Sequence, residues 1–166
     1  MTVLLGKTIQ DHGLVTECID SEKQVQACGI DLTVSKIESY LSRGCIDFDN
    51  SRRELTRLNE PGRIDDFWVL SPGAYLITFN EIVNVPADCC GIARSRSTLL
   101  RLGATIETAV WDPGYKGRSQ SMLVVHNPNG IKIVKNARVL QLIFVKLDKT
   151  SEVLYSGRYQ GEGIQK

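Results

Sequence analysis

Three clusters of turn residues cut this chain into runs too short for a helical fold: Ser71-Pro72-Gly73, Asp112-Pro113-Gly114 and Asn127-Pro128-Asn129-Gly130. Proline ahead of glycine presets a tight turn, and dense Asn/Pro/Gly runs end regular structure. Between and around them lie short apolar runs of strand type at Phe67–Leu70, 74–78, 81–85 up to Pro86, 122–126, Ile131–Val134 and 137–147. Residues 24–34 alternate loosely and gather β-branched types towards their end, as a further strand would, and 8–12 read as a short helix ahead of Gly13. There is no internal repeat and no linker. Many short strands with one or two short helices predict an all-β sandwich or barrel, a single domain over residues 1–166.

Composition narrows the partners. A formal charge of +1 argues against a polyanion or a membrane surface, so any anion site must be local. Hydrophobic content of 42% fits a folded globular chain, and no apolar run approaches the length of a membrane span. The opening MTVLLGKTIQDHG lacks the apolar core of a signal peptide, and the five cysteines, an odd number, fit free thiols, so the expected location is the cytoplasm. A zinc deaminase would need H-x-E with P-C-x-x-C, whereas this chain has only Pro86-Ala87-Asp88-Cys89-Cys90 and no matching histidine. Residues 42–66 mix Arg52, Arg53 and Arg57 with Asp47, Asp49 and Glu54. Mixed signs suit a solvated excursion of loops and edge strands, not a nucleic-acid stripe.

The chemistry gathers in residues 92–117, IARSRSTLLRLGATIETAVWDPGYKG. Arg94, Arg96 and Arg101 supply fixed positive charge, and Ser95, Ser97 and Thr98 supply small donors that can approach phosphate. Asp112 follows inside a turn that would hold its carboxylate in one place; a surface loop, short helix and hairpin is the plainer alternative. Asp31 sits in an apolar setting and needs a partner, either in a turn or cap or in a site. The tail, YSGRYQGEGIQK, is too glycine-rich for a core of its own. It reads as a frayed terminus or as an arm whose Arg158, Tyr159 and Gln160 offer a phosphate fork, a flat face and an amide.

Five segments, ACGIDL at 27–32, ARSRSTLLRLG at 93–103, TAVWDPGYKG at 108–117, ARVLQLIF at 137–144 and GRYQG at 157–161, resemble in this order the motifs of the dUTPase and dCTP deaminase superfamily. Five spaced motifs are far more specific than one. The resemblance implies a distorted β-barrel or jelly-roll subunit, a homotrimer with sites where subunits meet, a deoxynucleoside triphosphate bound with Mg2+, and residues 155–166 as a flexible arm closing over the active site. Carried over by position, Arg96 and Ser97 hold the phosphates with Thr98 and Arg101 beside them. Asp112 lies by the deoxyribose 3′-hydroxyl, Tyr115 packs on the sugar and disfavours a 2′-hydroxyl, and Gln141 places water and phosphate. Backbone groups around Thr108, Ala109, Val110 and Trp111, with strand 122–124, read the base. Arg158, Tyr159 and Gln160 close the site, and Asp31 supports the metal and phosphate region through water, the ion itself resting mainly on the triphosphate.

One position separates the two chemistries of this superfamily. Deaminases of this kind move protons with a glutamate five residues beyond the glycine matching Gly117, and here that residue is Met122. Gln120 and Ser121 do not titrate usefully, Glu107 lies before the turn, and no carboxylate occurs from Lys116 to Val145. The resemblance therefore points to hydrolysis of dUTP to dUMP and pyrophosphate, with water activated by Asp112 attacking the α-phosphate. Three features remain deaminase-like: Ser-Thr after Arg96, Pro-Gly after Asp112, and a tail without the glycine-rich phenylalanine arm. Together they suggest a deaminase-like scaffold of the archaeal dUTPase type. The alternatives are a dCTP deaminase, alone or combined with hydrolysis, and a non-catalytic nucleotide-binding regulator, which would have no need of Asp112 and Gln141 together.

Overall fold

The computed structural model describes residues 2–164; Met1, Gln165 and Lys166, the last two belonging to the expected arm, lie outside the described residues. In chain order the elements are β1 (Thr2–Val3), α1 (Gly6–Asp11), β2 (Val15–Thr16), α2 (Ser21–Gln24), β3 (Val25–Gln26), β4 (Gly29–Tyr40), β5 (Leu58–Asn59) and β6 (Arg63–Ile64). There follow β7 (Phe67–Leu70), β8 (Gly73–Phe79), β9 (Ile82–Asn84), β10 (Cys89–Ser95), α3 (Ser97–Arg101), β11 (Ala104–Glu107), β12 (Lys116–Gly117), β13 (Gln120–Val125), β14 (Ile131–Val134) and β15 (Arg138–Lys146). The predicted β architecture is borne out, with three short helices among the described residues where one or two were expected. None of them is long and apolar enough to cross a membrane.

The main sheet runs β10-β15-β4-β8-β13-β11, antiparallel throughout, and curls into a half-barrel. Side chains alternate across a strand, so β13 buries Ser121, Leu123 and Val125 and turns Gln120, Met122 and Val124 outward. The same alternation sends Leu32, Ile37, Ile77, Phe79, Leu140, Leu142 and Phe144 into one core, each fully buried. Two three-stranded sheets, β12-β9-β2 and β14-β7-β6, accompany it; Trp68 on β7 and Val83 on β9 join the same core.

Residues 24–34 divide differently from the single strand expected. Gln24 closes α2, Val25–Gln26 pair back on β4 as a hairpin, and β4 continues past Val34 to Tyr40. A bulge between Val34 and Lys36 lets β4 leave β15 and follow β8. Beside it Glu81, read from sequence only as the start of a strand, is wholly buried. Its carboxylate accepts from Gln24 Nε2 at 2.7 Å, Thr33 N at 2.9 Å and Thr33 Oγ1 at 2.5 Å. Gln24 Nε2 also donates to the Asp31 carbonyl at 2.8 Å, so this buried network ends at the strand residue that carries the site's first acid.

Candidate active site

The first cluster forms where β10, β15 and β4 lie side by side and the ladders set Arg94, Gln141 and Asp31 in one row. Arg96 stands just beyond β10, its backbone N–H bound to the Val139 carbonyl at 2.9 Å. From there its guanidinium reaches Asp31 Oδ2 through Nε at 2.9 Å and the Arg138 carbonyl through Nη1 at 3.2 Å. Arg138 Nη1 approaches the same Oδ2 at 3.3 Å. The Asp31 side chain is only 1% exposed, and burial pushes its carboxyl above the usual range against the pull of Arg96 and Arg138. One acid between two arginines leaves a net positive charge, and removing one arginine would leave a buried acceptor underpaired at a cost of about 1–3 kcal/mol.

Ser97 and Thr98 are exposed on the first turn of α3, and Arg101 folds back on it, Nη1 to the Ser97 carbonyl at 3.1 Å. Gln141 is half-buried, with Nε2 3.9 Å from Cys28 Sγ. Arg138 was not singled out from sequence. It lies inside ARVLQLIF, and only the cross-strand ion pair to Asp31 gives it a role.

The second cluster is built around the Asp-Pro-Gly-Tyr turn. Trp111 is nearly buried and exchanges two backbone hydrogen bonds with Gly91, at 2.8 and 3.1 Å. A Cβ on Gly91 would meet Trp111 Cβ at 2.9 Å, so a side chain there would displace Trp111 at a cost of about 1–3 kcal/mol. Next in the chain, Tyr115 N donates to the Asp112 carbonyl at 3.1 Å and Gly114 has φ 84°, as a type II turn requires. Val85 clamps the turn from the neighbouring segment, its carbonyl bound by Gly114 N and its N–H by the Tyr115 carbonyl, both at 2.9 Å.

Asp112 is exposed and Tyr115 is buried, and with Ala109, Val110 and Trp111 they line a cavity of about 800 Å³. Thr108, half-buried, stands at its approach without lining it. The opposite wall comes from residues 42–66, including Ile46, Asn50, Arg53 and Leu55. That excursion carries the short edge strands β5 and β6, as expected, but it also faces the cavity as well as solvent. Met122 is half-buried on β13, and the β11–β13 register places Glu107 directly opposite it. The acid that lies before the turn in sequence is thus Met122's cross-strand neighbour.

The tail docks on the turn of its own chain. Tyr155 N donates to the Pro113 carbonyl at 2.7 Å, and Gln160 brackets Gly114 and Lys116, Nε2 to the Gly114 carbonyl at 2.8 Å and Oε1 from Lys116 N at 2.9 Å. Gly161 N bonds the Lys116 carbonyl and Arg118 N the Glu162 carbonyl, both at 2.8 Å. The Tyr115 hydroxyl donates to Glu162 Oε1 at 2.8 Å, and the Tyr155 ring meets Tyr115 edge-on at 5.5 Å. Burial raises both partners, the phenol far above its ordinary range and the Glu162 carboxyl above the usual carboxylate range. Tyr159 and Glu162 line the cavity and Arg158 is exposed. Glu162 was missed in sequence because only the folded tail brings it to Tyr115.

Within one chain, then, Asp112, Tyr115, residues 109–111 and Tyr159 share a cavity, while Arg96, Asp31, Arg138 and Gln141 form a separate group outside it. Among the described residues no three His, Cys, Asp or Glu side chains gather as a metal site, and Asp31 Oδ2 is already held by two arginines. The arrangement supplies an exposed carboxylate at an apolar, walled cavity and, apart from it, a fixed cationic group suited to phosphate.

A family model described as dCTP deaminase-like matches residues 4–147. The chain belongs to this family. Among its curated relatives, the probable deoxyuridine 5′-triphosphate nucleotidohydrolase of Methanococcoides burtonii is 48% identical over 91% of this chain and 89% of its own length. The probable enzyme of the same name from Archaeoglobus fulgidus is 47% identical over 99% of both chains. The deoxyuridine 5′-triphosphate nucleotidohydrolase of Methanocaldococcus jannaschii is 41% identical over 84% of this chain and 89% of its own length. Among solved structures, the 2′-deoxycytidine 5′-triphosphate deaminase of Agrobacterium tumefaciens superposes with a TM-score of 0.65 at 16% identity, covering 86% of this chain and 47% of that one. The EIAV dUTPase superposes with a TM-score of 0.51 at 17% identity, over 88% and 93%. These structures share the fold of the dCTP deaminase-like family.

Proposed function

We propose that this protein is a dUTP diphosphatase, converting dUTP and water to dUMP and pyrophosphate. The observation that carries the reading is at β13: the deaminase glutamate position is Met122, which moves no proton, while Asp112 is retained on a clamped turn at the cavity. Relatives at 40–48% identity over most of the chain carry the same activity in their names.

In the proposed reaction a water oxygen bonds to the α-phosphorus and gives its proton to Asp112, and the bond from that phosphorus to the bridging oxygen breaks to release pyrophosphate. Arg96, with Ser97, Thr98 and Arg101 nearby, takes the phosphate charge; Arg138 joins it, and Asp31 orients both arginines. Gln141, in register with Asp31, places water and phosphate. Tyr115 packs on the sugar, the backbone at residues 108–111 reads the base, and Arg158, Tyr159 and Gln160 close the site with the rest of the arm. Mg2+ would arrive on the triphosphate and offset its charge; the protein donors present suit that better than a cage of their own. The separation of the cationic group from the cavity supports a homotrimer in which one subunit's arginines meet another's Asp112. Five cysteines without disulfides suit the cytoplasm.

The test is product analysis with dUTP and dCTP side by side. Wild type should release pyrophosphate from dUTP, and Asp112→Asn should bind dUTP while losing at least about 10²-fold in rate, the scale of a general base. Glu107 opposite Met122 offers a deaminase a carboxylate beside the missing proton carrier. Conversion of dCTP to a uracil product, abolished by Glu107→Gln, would replace the diphosphatase reading with that one.

A further inference from the structure

One cationic side chain in the cavity wall has no hydrogen-bond partner among the described residues. Arg53, half-buried on the 42–66 excursion, has no partner for its Nε, and Ser119, 4% exposed on the segment entering β13, lies by the Tyr115 hydroxyl. Both residues line the same space as Asp112 and Tyr115. Arg53 forms no ion pair among the described residues, although Glu54 and Glu162 line the cavity too. A guanidinium left without an acceptor beside an apolar cavity is costly, and its place in the wall points to a ligand that supplies one.

The surroundings decide which part of a nucleotide that is. Around Arg53 the walls are Ile46, Leu55, Leu58, Leu76 and Val110, apolar surfaces that suit a flat heterocycle and would strand a triphosphate. The phosphate-type group, Arg96 with Arg138 and Asp31, lies elsewhere. Uracil and cytosine share the 2-carbonyl and differ at position 4, a carbonyl in one and an amino group in the other. A guanidinium can only donate, so it complements a 4-carbonyl and opposes a 4-amino group.

We propose that Arg53, on the excursion, is a specificity-determining residue that reads the 4-carbonyl of uracil. This rests on the diphosphatase reading and adds a side-chain reader to a pocket otherwise read by backbone. It assigns a function to the stretch least covered by the family motifs.

Arg53→Met keeps the apolar stem and removes every donor. In the intact protein it should raise KM for dUTP about 10- to 100-fold with kcat largely kept, the range of a hydrogen bond to a charged group. It should narrow the preference for dUTP over dCTP and weaken competitive inhibition by deoxyuridine by a similar factor. Arg52→Met, on the exposed neighbour, should change none of these. Wild-type KM, selectivity and deoxyuridine inhibition in Arg53→Met would overturn the assignment. So would a raised KM for dUTP with deoxyuridine inhibition intact, which would place Arg53 on phosphate. Failure of the wild type to release pyrophosphate would overturn the diphosphatase reading instead, and deoxyuridine binding measured by calorimetry on the same variants would still decide the role of Arg53.

Discussion

Burial and hydrogen bonding pull the Glu81 carboxyl in opposite directions, and burial wins, raising it above its ordinary value of 4.5. The native chain therefore holds this proton to higher pH than the unfolded chain. Between 4.5 and the raised value the native state binds more protons, so stability falls as pH rises through that window and stays lower above it. Asp31 adds a slope of the same sign starting from 3.8. Glu81→Gln keeps the size and one acceptor oxygen but does not titrate. Thermal melts from mildly acid to mildly alkaline pH should show wild type losing midpoint relative to the variant as pH rises; parallel curves would refute the assignment. Neither this network nor Arg138 was legible in the sequence, because each depends on partners far along the chain: Thr33 for Glu81, Asp31 for Arg138. Asp31, Arg96 and Asp112 could be read early, since each sits in a short segment whose local chemistry already restricts its use.

Among the elements, β7 and β14 were readable because clean alternation and flanking turns define them locally, and Phe67–Leu70 and Ile131–Val134 stand where expected. The second half of β4 was not. Ser35, Lys36, Glu38 and Ser39 look like loop residues, and pairing with β8 after the bulge is what makes them strand. Strand pairing likewise brings Glu107 against Met122, a relation no linear spacing contains. Met122→Glu would set two carboxylates directly opposite on one face, destabilising by about 0.2–1 kcal/mol where both are ionised. Urea unfolding should show that loss at pH 8 and its relief in mild acid, with Met122→Gln insensitive to the change. An equal loss for both variants at both pH values would mean that the two side chains do not meet.

For the whole molecule the relation to test is the proposed one between surfaces on different copies. If Arg96 of one subunit serves the Asp112 cavity of another, two inactive variants should repair each other. Arg96→Met and Asp112→Asn, denatured together and refolded, should recover a measurable fraction of wild-type dUTP hydrolysis, whereas each refolded alone stays inactive. No recovery despite mixed assemblies seen by native mass spectrometry would place both halves in one chain. The docked tail bears on a different property. Apart from the Tyr155 ring, the Gln160 amide, the Glu162 carboxylate and the Arg118 guanidinium, its hydrogen bonds with the Gly114–Arg118 segment are made by main-chain groups, Gly161 N to the Lys116 carbonyl and Arg118 N to the Glu162 carbonyl. Main-chain contacts survive side-chain exchange. An exposed position such as Ser156, outside the residues proposed to close the site, is thereby free to drift in sequence while the segment keeps its seat, which gives descendants of this chain a place to vary without rebuilding the fold beneath it.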